Sequence, residues 1–184
     1  MSAPPPRPTK AELEAAGGAV IPDVIADDLR VLFCGIYPGL WSGATGDHFA
    51  RPGNRFWPVL HRAGFTPRQL APWEKGELLA LGLGVTNLVP RTTAAAAELS
   101  TEELRAGAAA LEAKVARHRP RAVAVVGMGA YRTAFRRPRA TLGRQPEPLA
   151  GAEVWMLPNP SGLQATYQLP DLVAAFAELR AAVA

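Results

Sequence analysis

Four short stretches of the chain hold groups able to do chemistry. Gly35-Ile36-Tyr37-Pro38-Gly39 is a glycine-containing loop stiffened by Pro38. Backbone N–H groups fixed in such a loop can stabilise a developing anion without reorganising; a plain turn is the other reading. Asp47 brings a carboxylate that can act as a general base or bond its own loop backbone. Two residues on, Phe49 is either a stacking platform or a core ring beside Phe56 and Trp57. Asn87 offers one acceptor oxygen and two donors, enough to orient a water or read a polar edge. It equally suits a turn asparagine capping a strand. Asn159-Pro160-Ser161-Gly162-Leu163 is a small-residue turn that ends in an apolar side chain.

Other chemistries are poorly supplied. The one cysteine, Cys34, cannot make an internal disulfide, a thiolate zinc site or an iron–sulfur cluster. It points to a reducing, cytoplasmic setting. His48, His61 and His118 are far apart and form no i, i+4 pair, so neither a metal nor another cofactor is expected. Gly127-Met128-Gly129 lacks the third glycine of a dinucleotide loop and reads as a tight turn; a nucleotide-binding protein is the weakest reading.

The charge balance is 20 Lys+Arg against 16 Asp+Glu, a net +4. From Arg132 to Arg144 run five arginines and no acid (Arg132, Arg136, Arg137, Arg139, Arg144). Such a run can follow a phosphate backbone or be a solvated loop. Arg91 likewise either meets a phosphate or is solvated.

These groups need a scaffold. A chain of 184 residues, 48% hydrophobic and 20% charged, suits one globular domain. No apolar run approaches the ~20 residues of a membrane span, and no secretory leader is evident. Residues 1–8, with four prolines, are expected to be a disordered tail, and residues 9–184 a single domain. Thr9–Glu12 fits a capping box, predicting a short helix to Gly17. Arg30–Gly35, Gly84–Val89, Ala122–Gly127 and Val154–Leu157 read as strands. Between them, helices are predicted over Arg55–Arg62, Trp73–Leu81, from the capping box at Ser100 to about His118, over Ala130–Phe135 and over Asp171–Ala182. Ile36–Asn54 reads as one long loop.

The strand runs are apolar throughout, which describes a parallel sheet covered on both faces, an α/β fold. Sites in such sheets lie beyond the carboxyl ends of the strands. The loops after Gly35, Asn87 and Leu157 leave from those ends.

Three motifs carry a family resemblance. FCGIYPGL and GDHFARPGNRFWPVLHRAGFT within Val31–Thr66, GVTNLVPRTT (Gly84–Thr93) and LPNPSGL (Leu157–Leu163) occur in order. They resemble the mismatch-specific uracil/thymine DNA glycosylases of the uracil-DNA glycosylase superfamily, over residues 28–182. The resemblance implies a three-layer α/β/α sandwich around a short, mainly parallel sheet. It also implies action on double-stranded DNA holding uracil or a G·U or G·T mismatch, and the protein is expected to be a monomer. Such an enzyme swings the base out of the stack and hydrolyses its N-glycosidic bond, leaving an abasic site.

The resemblance assigns roles by position. Phe49 would stack on the extruded base, and Ile36 would line the pocket through its backbone. Leu163 would fill the gap in the stack, and Gly162 would let backbone groups approach the widowed guanine. Ser161 and Gln164 would contact phosphate or base. Asn54 reads better as a cap for the following helix than as a base contact.

One position departs from the family. Tyr37 stands where the family has an asparagine that positions the attacking water. A phenol, with an ordinary pKa of about 10, stays protonated near neutral pH and cannot copy that role. Three readings follow. Asn87 or Asp47 replaces the activator; or stabilisation of the leaving anion suffices for slow catalysis; or the protein binds lesions without cleaving them.

Overall fold

A computed structural model describes residues 2–184. In chain order its elements are α1 (Lys10–Ala15), β1 (Val31–Gly35), α2 (Leu40–Thr45), α3 (Phe56–Arg62), α4 (Glu77–Ala80), β2 (Leu83–Asn87), α5 (Thr101–His118), β3 (Ala122–Val126), α6 (Met128–Ala134), β4 (Gly143–Arg144), β5 (Glu153–Leu157) and α7 (Leu169–Ala182). One sheet, in the order β2-β1-β3-β5-β4, forms the middle layer. Val31 is in register with Leu83 on one side and Ala122 on the other, and Ala122 with Glu153, all parallel. Of the strands among the described residues, only β4 runs antiparallel, pairing Gly143 with Met156.

The uniform apolarity of the strands has the expected consequence. Successive side chains point to opposite faces, so each strand feeds two cores. Phe33, Val85, Ala124 and Leu157 pack with Phe56 and Leu60 of α3, Leu78 of α4 and Phe176 of α7. Leu32, Cys34, Val125 and Met156 pack with Leu111 and Val115 of α5 and Tyr131 of α6. Phe33 is the centre of the first core, meeting Phe56 and Phe65 edge-on at 5.5 and 5.4 Å. Burying each such side chain contributes about 1.5–3 kcal/mol.

Both capping boxes form, Thr9 with Glu12 and Ser100 with Glu103. Some local expectations do not hold. The 36–54 segment contains α2, capped by Gly39 at its start and by the left-handed Gly46 at its end. The helix expected over 73–81 is broken: a 3-10 turn at Pro72–Glu74 precedes α4, with Gly76 between them. Helix α7 starts earlier, at Leu169, because Pro170 fits the first turn, where no N–H partner is needed.

Ahead of β1, the chain is tied to the domain. Gly18 N–H donates to the Thr92 carbonyl at 2.9 Å and Thr92 N–H to Ala19 at 2.8 Å. Residues 2–8 form neither helix nor strand, yet the Ser2 carbonyl accepts from Trp73 Nε1 at 3.2 Å. Among the described residues, no helix is long and apolar enough to cross a membrane, and no cluster of His, Cys, Asp or Glu could hold a metal ion.

Candidate active site at the carboxyl ends of the strands

The chain leaves β1 to build β2 on one side, then returns to build β3 on the other. A crevice opens where the order reverses. Here it is a cavity of about 710 Å³, within the ~300–1,000 Å³ range of small-molecule sites. Its walls come from the loops predicted to leave the strand ends: Ile36–Ser42 after β1, Asn87 at the end of β2, Val126 at the end of β3, and Asn159, Ser161 and Leu163 after β5. Leu13 of α1 and Ile21 add a further wall.

The loop after β1 turns its carbonyls away from the cavity. Leu88, Val89 and Thr93 N–H groups donate to the carbonyls of Gly35, Ile36 and Pro38 at 2.8, 2.9 and 3.1 Å. The Ile36 and Tyr37 N–H groups have no protein acceptor among the described residues. Fixed donors on a cavity wall can stabilise an anion there.

Phe49 is half-buried. Its ring stacks on Phe56 with centroids 4.0 Å apart, and the residue also lines the cavity. Its backbone is held in the left-handed region at φ 50°, which costs a non-glycine residue of order 1–3 kcal/mol. Tertiary structure therefore imposes the placement of this ring. Trp57 Nε1 braces the same segment by donating to the His48 carbonyl at 3.1 Å.

Asn87 is oriented by a relay. His48 is 2% exposed, and its Nε2 lies 2.8 Å from the Pro22 carbonyl. A carbonyl only accepts, so Nε2 carries the proton. Burial lowers the imidazole pKa, which keeps the ring neutral and leaves Nδ1 an acceptor. Asn87 Nδ2 lies 3.4 Å from that Nδ1. The amide oxygen is thereby turned toward Gly35, 2.5 Å from where a Cβ on that residue would stand. The same point is 3.3 Å from Phe49 Cζ. Gly35 lets the acceptor of Asn87 and the ring of Phe49 converge.

Tyr37 lines the cavity and is partly buried. Burial raises its phenol pKa, and the Ala96 backbone only partly offsets this. The side chain is a neutral hydroxyl, able to donate but not to take a proton from water. Asp47 corrects an expectation: it does not line the cavity. Its carboxylate is paired with Lys75, and the residue is 6% exposed. The charge goes to fixing the loop rather than to the cavity. Arg91 is likewise engaged, bonding Glu103 at 2.6 and 3.0 Å. Its hydrogen bonds pull the Glu103 carboxyl pKa down to about 2.

The loop after β5 projects a finger. Leu163 is 74% exposed at the cavity mouth. Ser161 and Gln164 first serve the loop itself: Leu163 N–H donates to Ser161 Oγ at 3.3 Å, and Thr166 N–H to Gln164 Oε1 at 3.0 Å. Asn54 caps as expected, its Oδ1 accepting the Phe56 N–H at 2.9 Å. Two participants were not foreseen. By sequence His48 bears only on a metal site, and Arg55 only on the start of a helix. The GDHF and GNRF stretches containing them were the available signal.

A mainly parallel sheet covered on both faces, with an aromatic-walled cavity at its switch point, makes an α/β/α domain consistent with a uracil-DNA glycosylase-like fold. The model of the Uracil DNA glycosylase superfamily matches residues 22–182, and the chain belongs to that superfamily. Its coarse function is accordingly that of a DNA glycosylase, a hydrolase of base excision repair that acts on uracil in DNA.

Proposed function

We propose that this protein is a monofunctional, monomeric glycosylase that extrudes uracil from duplex DNA, most readily opposite guanine, and hydrolyses its N-glycosidic bond. Mispairing favours this substrate because unstacking costs a few kcal/mol and costs least at a mismatch. Phe49 stacks on the extruded base, a contact of about 1–3 kcal/mol. The Ile36 and Tyr37 N–H groups stabilise the departing base anion. Asn87 supplies the water-holding acceptor that Tyr37 cannot. Leu163 enters the vacated space in the stack, and the Gly162 backbone faces the widowed guanine. Ser161 and Gln164 retain donor capacity for phosphate.

The observation that carries this reading is the orientation of Asn87, a cavity-lining residue whose amide nitrogen lies against the Pro22–His48 relay and whose oxygen faces Gly35. The test is single-turnover excision on a G·U duplex at excess enzyme. Abasic product is expected, with Asn87→Ala slower by about 10²-fold, the scale of losing one positioned polar group. No product at stoichiometric enzyme would refute glycosylase action. A full rate for Asn87→Ala would refute its assigned role.

The neutral phenol of Tyr37 favours a second reading, a slow or non-cleaving lesion binder. That protein would bind G·U duplex more tightly than matched duplex, with salt-dependent affinity, and release no base.

A further inference from the structure

Arg55 lies beneath the loop that carries Leu163, and its hydrogen bonds are spent on that loop. Its backbone N–H donates to the Pro160 carbonyl at 2.9 Å. The guanidinium then forks. Nε donates to Pro160 O at 3.3 Å and Nη1 to Tyr167 O at 2.6 Å. Nη2 reaches Ser161 O at 2.7 Å and Gln164 O at 3.1 Å. Every one of these acceptors is a neutral carbonyl. The contacts span both arms of the loop, so a single planar group fastens its entry and its exit.

A second observation makes the segment before Arg55 a socket. A Cβ on Gly162 would stand 2.5 Å from the Gly53 carbonyl oxygen. The tip of the loop therefore rests backbone to backbone on Gly53, with no side chain between. Beyond this seat the loop holds itself by short-range bonds, Leu163 N–H to Ser161 Oγ, Gln164 N–H to the Ser161 carbonyl and Thr166 N–H to Gln164 Oε1, while Gly162, Leu163, Ala165 and Thr166 are all exposed. An exposed loop ordered only on insertion would lose binding energy to that ordering. The fork also draws carbonyl oxygens inward, where their negative ends are neutralised and kept from the phosphates.

We propose that Arg55 is the positioning residue of the intercalating loop. It holds Leu163 pre-set for entry into the stack, so insertion pays little ordering entropy. This rests on the glycosylase reading above. Lysine cannot replace it, because an ammonium is a point charge that cannot bridge four carbonyls with planar geometry.

The test compares wild type, Arg55→Lys, Leu163→Ala and the double variant on uracil in a G·U duplex and in single-stranded DNA. Single-stranded uracil needs no wedge, so the ratio of duplex to single-strand rate isolates the loop. Arg55→Lys is expected to lower that ratio at least about tenfold, and Leu163→Ala to lower it similarly. The double variant is expected to be no worse than the worse single, since both act through one element. Equal slowing on both substrates, or multiplied effects in the double variant, would overturn the proposal. Amide hydrogen exchange of the same proteins reads the loop without substrate. Faster exchange confined to 161–167 in Arg55→Lys supports the proposal, and unchanged exchange there overturns it. A wild type that releases base from neither substrate refutes the glycosylase reading alone, and exchange then decides the role of Arg55.

Discussion

Replacing Gly35 by alanine probes the convergence at the cavity floor with the smallest possible perturbation. Gly35 is the last residue of β1, and its φ lies outside the left-handed region, so alanine meets no backbone strain. The effect is purely one of space. The new methyl would sit 2.5 Å from Asn87 Oδ1 and 3.3 Å from Phe49 Cζ, the first about 1 Å inside ordinary contact. The strand is pinned on both sides by its ladder with β2 and β3, so the side chain must yield. Asn87 would swing away and break its contact with His48. Because the crowded atom is the far end of a side chain, the cost lies at the low end for overpacking, about 1 kcal/mol, or roughly 2–4 °C of melting temperature in a domain of this size. Loss of the placed acceptor should slow single-turnover excision by about 10²-fold, or about 2.7 kcal/mol of barrier. The double variant Gly35→Ala/Asn87→Ala makes the logic strict. Removing the amide gives the methyl room, so the double variant should melt above Gly35→Ala and excise no more slowly than Asn87→Ala. A wild-type rate for Gly35→Ala, or a double variant less stable than either single, would refute the reasoning.

Two other outcomes follow from the same site. Tyr37→Asn should raise the single-turnover rate on G·U duplex by less than about tenfold, since Asn87 already supplies a water-holding acceptor; a much larger rise would show that Asn87 does not fill that role. His48 should make the fold acid-sensitive. Its folded pKa lies below the ordinary 6.5 because burial disfavours the cation. The unfolded chain therefore binds the proton first, and stability should decline as pH falls below 6.5. Urea melts from pH 7.5 to 5 check this, and a slope unaltered in His48→Gln would contradict it.

The layered fold was legible because uniform apolar strands leave few alternatives to a doubly covered parallel sheet. The capping boxes at Thr9 and Ser100 were legible because their bonds span three residues. Helix α2 was hidden: Leu40-Trp41-Ser42-Gly43-Ala44-Thr45 has a glycine inside and little helical preference, and tertiary contacts hold it. The two-residue β4 is too short to leave a pattern. At the site, Phe49 and Asn87 stood out by chemical type and motif position. The groups that aim them did not, because their partners are remote in sequence. His48 finds Asn87 39 residues away, and Arg55 finds Ser161 106 away. Asp47 misled for the same reason, since its cation, Lys75, lies 28 residues on.

The solitary thiol has a practical corollary. Cys34 is fully enclosed between sheet and helix, its Sγ lies 3.4 Å from the Gly35 carbonyl, and burial pushes the thiol pKa far upward. Alkylating reagents attack thiolates, so the native chain should be inert to maleimides. A single engineered thiol at exposed Ala165 would then be the one labelling handle, placing a fluorophore beside the finger without first stripping cysteines from the background.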